Sequence, residues 1–360
     1  MKLVHGGDVL GFEEKYGRKP LDFSVNTNPL GMPPGAKAAA TRALEEAGAY
    51  PDPLCRRLTE ALSKKEEIPP EAILFGNGAA DLIFRLAYAL RPKSAMVTAP
   101  GFAEYALALG AAGCPVQRHF LREDEGFCVT PRLLEEIQPG LEMLFLCEPN
   151  NPTGQTTEPS LLKATLERCR RTGTRLVVDE CFVGFLENPQ EHTLKGYLTE
   201  YPNLVILGAF TKLYAMAGLR LGTCFCTDPS LLEGMKKASQ PWPVSSVAQA
   251  AGLAALEEPD YLARTREMIA AEKEYLRQGL AEAGIMVLGS EANYLFFKSP
   301  IVDFWEKMAR EGILIRGCEN FPGLSAGYFR IGIKTRADNQ RFLQELQTIL
   351  GQEDGGWQNP

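Results

Sequence analysis

The stretch MLFLCEPNNPTGQTTEPSLLKATLERCRRTGTRLVVDECF, residues 143–182, decides the fold. Two short runs, MLFLC at 143–147 and RLVVD at 175–179, are apolar through their centres and flank a helical pattern near 160–172. An uninterrupted apolar core, without polar alternation, suits a strand covered on both faces. The second run ends on Asp179, with Glu180 and Phe182 just beyond. A carboxylate closing so apolar a strand is partly withdrawn from water, and it needs a cationic partner.

Outward from this stretch the same alternation repeats. AILF breaks at GNG into the helix-like AADLIFRLAYAL, and SAMVTA (94–99), CPVQRHF (114–120), LVILG (204–208) and LGTCFC (221–226) read as further strands. Helical patterns lie at 36–48, 53–66 and 102–112. Buried strands separated by helices predict an α/β fold whose mainly parallel sheet is covered on both faces. After QPWPVSS the character changes. A long helical pattern at 260–283 precedes IMVL, NYLFF, a helix at 301–311, ILI, YFRIGI and a last helix at 336–350, which together read as a smaller α+β unit. The expected domains are an N-terminal arm at 1–35 that belongs with the smaller unit and covers the substrate, a large domain at 36–243, a small domain at 244–350 and a tail at 351–360.

Composition removes several function classes. Among 360 residues, 38 Lys plus Arg against 45 Asp plus Glu leave a net charge of −7, and no basic run tracks a phosphate backbone, so no nucleic-acid partner is expected. No apolar window is long enough for a membrane span, and the opening residues do not read as a leader, so a cytoplasmic protein is expected. The 9 cysteines include no C-x-x-C pair and several fall in apolar runs, which favours reduced, buried thiols over disulfides or zinc. The 3 histidines are far apart, so no metal site is expected.

In open parallel sheets ligands bind beyond the carboxyl ends of the strands, so the residues after each strand are the candidates. Gly78, Ala79 and Ala80 open a helix after a tight turn, where free amides and the helix dipole favour a phosphate. Phe102 follows SAMVTA and offers an aromatic face; Asn151 in EPNNPTG offers an amide donor; Asp179, Thr211 and Lys212 follow their own strands; Arg220 comes eight residues after Lys212. Segment by segment, an ordinary turn, a core phenylalanine and a surface lysine are the plainer accounts. Taken together, a phosphate site, a stacking ring, an amide, an acid and a lysine at the strand ends of one sheet match the parts of pyridoxal 5′-phosphate.

The ordered motifs GNGAADLI, PGFAEY, PNNPTG, VVDECF, TKLYAMAGLRLG and YFRIGI resemble those of fold-type-I pyridoxal-phosphate enzymes over essentially the whole chain. Within them the sequence resembles the histidinol-phosphate aminotransferase branch, and most of all the threonine-phosphate decarboxylases of cobalamin biosynthesis. The resemblance implies a seven-stranded, mainly parallel sheet between helices and a homodimer with the active site at the interface. It makes Lys212 the lysine that carries the cofactor, Asp179 the partner of the ring nitrogen, Asn151 a donor to the 3′-oxygen, and Phe102 the stacking ring. Gly78, Ala79, Ala80, Thr211 and Arg220 hold the cofactor phosphate, joined by Tyr50 from the second subunit. Arg330, with Asn151 beside it, takes the substrate carboxylate; Asn28, Arg316 and His5 take the substrate phosphate, although Asn28 also reads as a plain turn residue and His5 as a free terminus.

Three positions depart from the family pattern. Ala209 stands where a phosphate-binding serine is usual, Asp8 where the decarboxylases carry asparagine after His-Gly-Gly, and Phe182 where aminotransferases carry tyrosine. The reaction implied is decarboxylation of L-threonine O-3-phosphate to (R)-1-amino-2-propanol O-2-phosphate. Transamination of histidinol phosphate or a related amino acid is the alternative. A catalytically inactive binding protein of the same fold is more remote, since Lys212 is present.

Overall fold

The computed structural model describes residues 5–355. Its strands are β1 (Leu21–Asp22), β2 (Ile73–Gly76), β3 (Ala95–Ala99), β4 (Val116–Phe120), β5 (Met143–Cys147), β6 (Arg175–Asp179), β7 (Leu204–Ala209), β8 (Gly222–Phe225), β9 (Met286–Gly289), β10 (Tyr294–Lys298), β11 (Ile313–Leu314), β12 (Arg316–Gly317) and β13 (Tyr328–Gly332). Seven of them form one sheet in the order β2-β8-β7-β6-β5-β3-β4. All its pairings are parallel except those of β8, which runs antiparallel to β2 and β7. The expected seven-stranded, mainly parallel sheet is therefore present. The stretch that opened the sequence reading supplies two central strands, β5 and β6, paired from Met143↔Arg175 to Cys147↔Asp179.

Strand alternation sorts the core into two layers. Leu144, Leu146, Leu176, Val178, Leu204 and Ile206 pack to one side, with the helices Pro34–Glu45, Arg56–Glu66 and Pro159–Thr172 contributing Ala36, Leu58 and Leu162. Met143, Phe145, Cys147, Val177, Val205 and Leu207 pack to the other, against Leu82, Leu86, Tyr105 and Leu109 from the helices Gly78–Leu90 and Ala103–Ala111. Asp179 continues the second set, two residues after Val177, while Glu180 continues the first. Glu180 accepts hydrogen bonds from Thr193 Oγ1 at 2.7 Å and the Leu194 amide at 2.8 Å, and burial raises its carboxyl to about 7.

The smaller unit is a four-stranded antiparallel sheet, β12-β13-β10-β9, backed by the helices Tyr261–Glu282 and Arg336–Gly355. Its core joins Ile269, Leu276, Leu295, Phe297, Ile331 and Phe342. The N-terminal arm is built into this unit: β1 pairs in parallel with β11, and Phe23 is fully buried in the same core.

Three helices of eight or more residues were not anticipated. Val9–Tyr16 lies within the arm that reads as irregular, and Pro229–Lys237 follows β8; Asp8 and Asp228 cap their amino ends by accepting backbone N–H bonds. Ser246–Glu257 packs on the helices Pro34–Glu45 and Arg56–Glu66 through Ala248, Ala251 and Ala255, although the sequence boundary at 244 assigns it to the smaller unit. Its buried Ala248, Ala251, Gly252 and Ala255 fall at helical spacing and suit close packing, but Val247, Leu253 and Leu256 make the other faces apolar too, which hides the stripe in the sequence. All 9 cysteines are unpaired, 7 of them buried and Cys128 and Cys181 partly so.

Candidate active site

A cleft opens where the large sheet's carboxyl ends face the smaller unit. It is lined by Ala79, Ala80, Phe102, Cys147, Asn151, Asp179, Phe182, Ala209, Thr211, Lys212 and Arg220 from the large unit, and by Arg316, Asn320 and Arg330 from the smaller. The arm adds His5, Ser24 and Asn26.

Asp179 is 4% exposed. Its Oδ2 accepts from the Tyr105 hydroxyl at 2.6 Å and its Oδ1 from the Cys181 amide at 3.0 Å. Burial pushes its carboxyl above the ordinary range, and these two donors work in the other direction. Among the described residues it forms no ion pair, so the cation that a buried carboxylate calls for is not supplied by the fold. Tyr105 is itself fully buried, stacked on Phe145 at 4.9 Å and edge-on to Phe102 at 5.5 Å.

Lys212 follows β7 in the short helix Phe210–Leu213. Burial, and after it the charge of Arg330, hold its amine at about 8, well below an exposed lysine. A neutral amine is therefore accessible near neutral pH, which is what attack on an aldehyde requires.

The amino end of the helix Gly78–Leu90 forms a cradle. Gly78 has φ +80°, and a Cβ on it would lie 2.5 Å from the Arg220 guanidinium. A Cβ on Gly222 would lie 2.3 Å from the Gly78 carbonyl carbon and 2.4 Å from the Ala79 nitrogen. Glycine at both positions lets backbone, guanidinium and the buried Thr211 converge on the free amides, an arrangement suited to a phosphate. Ala209 lines the same region and offers no hydroxyl.

At the other end, Arg316 on β12 and Arg330 on β13 are register partners, so both side chains leave the same face of the sheet. Arg330 is buried; it donates to Asn151 Oδ1 and, at 2.9 Å, to the Ser24 carbonyl, and its Nε has no hydrogen-bond partner among the described residues. Arg316 donates to the Gly317 carbonyl and to Asn320 Oδ1, each at 2.8 Å, and lies 5.0 Å over the Phe321 ring. Burial, and after it the Arg330 charge, draw its guanidinium below the ordinary value. Phe182 lines the cleft edge-on to Tyr294, whose hydroxyl bonds the Asn150 carbonyl at 2.7 Å.

Two expectations need correction or relocation. Asn28 does not reach the cleft: its Nδ2 donates to the Leu213 carbonyl and to Thr265 Oγ1, each at 2.8 Å, and its Oδ1 accepts from the Leu30 amide, which uses up the side chain as a brace. Asn26, two residues earlier in the same NTN run, lines the cleft instead; it is 2% exposed and its Nδ2 has no partner among the described residues. Nothing in the sequence chose between two asparagines so close together. Tyr50 lies outside this cleft, 78% exposed and stacked on Trp242 at 4.2 Å. Asp8, which stands where the decarboxylases carry asparagine, is held as a helix cap, its Oδ1 accepting from the Gly11 amide at 3.1 Å. Tyr105 was missed, yet it stands three residues after Phe102, a spacing that brings two side chains to one side at a helix start.

These residues fit pyridoxal 5′-phosphate on the structure's own terms. The buried Asp179 lacks a cation, Lys212 has a depressed amine, and the glycine-shaped cradle lies on the same cleft.

The model of the aminotransferase class I and II family matches residues 18–346. The chain is 37% identical to the threonine-phosphate decarboxylase of Salmonella typhimurium over 353 residues, 96% of each chain. It is 36% identical to the histidinol-phosphate aminotransferase of Symbiobacterium thermophilum over 356 residues, covering 97% of this chain and 96% of that one. Among solved structures, the histidinol-phosphate aminotransferase of Clostridium acetobutylicum superposes with a TM-score of 0.86 at 26% identity, covering 92% of this chain and 99% of that one. By fold, by site and by these matches, the chain belongs to the aminotransferase class I and II family of pyridoxal-phosphate enzymes.

Proposed function

We propose that the protein is a pyridoxal-phosphate-dependent decarboxylase acting on L-threonine O-3-phosphate and releasing (R)-1-amino-2-propanol O-2-phosphate. The register pairing of Arg316 with Arg330 carries this reading. Like charges directly across a strand pair destabilise it. A ligand with two anionic groups a few bonds apart relieves that repulsion. Threonine phosphate brings a carboxylate for the buried Arg330 and a phosphate for Arg316 in one molecule, whereas in transamination histidinol phosphate brings only the phosphate and the carboxylates come with the second substrate, 2-oxoglutarate. The similarity to a threonine-phosphate decarboxylase supports the same choice.

Bound pyridoxal phosphate supplies a sink for the electron pair left at the substrate's Cα when the carboxylate departs as CO₂. Asp179, kept dry and aligned by Tyr105, holds the positive charge of the ring nitrogen. Phe102 covers the ring. The planar fork of Arg330 fixes the carboxylate in two dimensions and so sets its orientation. Lys212, with an amine near 8, returns a proton to Cα. The enzyme acts as a homodimer, in which Tyr50, exposed and stacked on Trp242, would reach the second subunit's cofactor phosphate.

The test is a pair of incubations with the holoenzyme. L-threonine O-3-phosphate is expected to yield CO₂ and an amino alcohol phosphate, with no amino group passed to 2-oxoglutarate. Glutamate formation from 2-oxoglutarate with histidinol phosphate, and no CO₂ from threonine phosphate, overturns the proposal.

A further inference from the structure

Residues 5–7 cross the mouth of the cleft and are tied on both sides of it. On the side of the smaller unit, the Gly7 amide donates to Ser24 Oγ at 2.8 Å, and the carbonyl of the same Ser24 accepts from Arg330 at 2.9 Å. Gly6 permits this approach because a Cβ there would lie 2.6 Å from the Ser24 carbonyl oxygen, and Gly7 takes φ +88°. On the side of the large unit, His5 Nε2 meets Glu104 Oε1 at 2.5 Å, and its ring lies 6.0 Å from that of Phe102.

Glu104 is unusual for a partly enclosed acid. Its side chain is 13% exposed, and its Oε2 is buried without a hydrogen-bond partner among the described residues. A carboxylate kept for packing is bonded through both oxygens, because an unsatisfied buried one is costly. The contact this one makes is with the strap.

We propose that Glu104 is a positioning residue that holds His5 across the cleft mouth, so that the imidazole and Arg316 meet the phosphate end of the substrate together. This rests on the reading of a phosphorylated substrate. His5, Glu104 and Arg316 line one cleft, and the two glycines after His5 leave its placement to the contact with Glu104. Without that carboxylate residues 5–7 lose the tie that spans the opening, and the remaining bond from the Gly7 amide to Ser24 Oγ opens more often.

Three holoenzyme variants test this: Glu104→Gln, His5→Ala and the double substitution. Amide hydrogen exchange at Gly7, whose N–H is bonded to Ser24 Oγ, measured without substrate, is expected to accelerate roughly tenfold in Glu104→Gln, the scale of losing one charge-assisted contact. The KM for L-threonine O-3-phosphate is expected to rise by a similar factor in each single variant, with the change falling on KM rather than kcat. In the double variant no further rise is expected, because Glu104 acts through His5. Unchanged exchange in Glu104→Gln, or single effects that multiply in the double variant, overturns the proposal. If the parent enzyme does not turn over threonine phosphate, the substrate reading fails, and the exchange measurement still decides whether Glu104 holds the strap.

Discussion

The two ends of the cleft both gather groups suited to an anion, yet one is made of backbone and the other of side chains. At the Gly78 end, amides of a helix start sit against Gly222, with Arg220 alongside, and the fit comes from atoms that every residue carries and from two missing Cβ atoms. At the Arg316 end, the groups that line the cleft are two guanidinium groups on paired strands, a buried amide at Asn26 and an imidazole on the arm. The first construction is stiff and indifferent to what the substrate is, as suits a resident cofactor. The second depends on which side chains the smaller unit presents, and specificity can change there without disturbing the large sheet.

That contrast can be broken most sharply at its side-chain end. Arg316→Ala removes a charge that acts on one substrate group, and a cost of about 2–4 kcal/mol is expected, roughly 30- to 1000-fold in kcat/KM. The loss should be large for threonine phosphate and small for unphosphorylated threonine, a difference read from kinetics on both; equal losses would remove Arg316 from the phosphate site. At the backbone end, Gly222→Ala drives a Cβ into the Gly78–Ala79 peptide, which has no flexible side chain to yield. A stability loss of about 1–3 kcal/mol, with weaker cofactor retention, is expected in denaturant melts of the variant. Wild-type stability would show that the cradle adjusts more freely than its geometry implies. The smallest effect is a gain: Ala209→Ser adds one hydroxyl beside the cradle, and a net hydrogen bond of about 1 kcal/mol would tighten cofactor binding roughly fivefold in a dialysis titration. No change would mean that the amides and Arg220 already satisfy the phosphate.

The same contrast explains what could be read in advance. The backbone-built end is partly legible locally: GNG before a helical pattern is a short-range signal, although an ordinary turn is its plainer account taken alone, and Gly222, which opens β8, was not singled out. Asp179 was legible for a similar reason: an acid ending an apolar strand has few explanations, and the structure leaves it buried without an ion pair among the described residues. The far end was less legible. Asn28 was singled out and Asn26 was not, yet Asn26 lines the cleft while Asn28 is consumed by Leu213 and Thr265, residues far along the chain. Glu104 and Tyr105 passed unnoticed in PGFAEY because their partners, His5 and Asp179, come from distant segments.

By itself, the sequence determined the buried parallel strands, the tight turn before a helix and the strand-end places of Lys212 and Asp179, because these depend on period, turn chemistry and strand ends within a few residues; the roles expected of that lysine and acid came from the resemblance of the ordered motifs. Tertiary structure alone decided that Arg316 and Arg330 stand opposite one another, that Asp8 turns away to cap a helix, and that His5 meets Glu104. Those pairings are set by strand register and by the arm's course over the cleft, and neither quantity is encoded in any short run of residues.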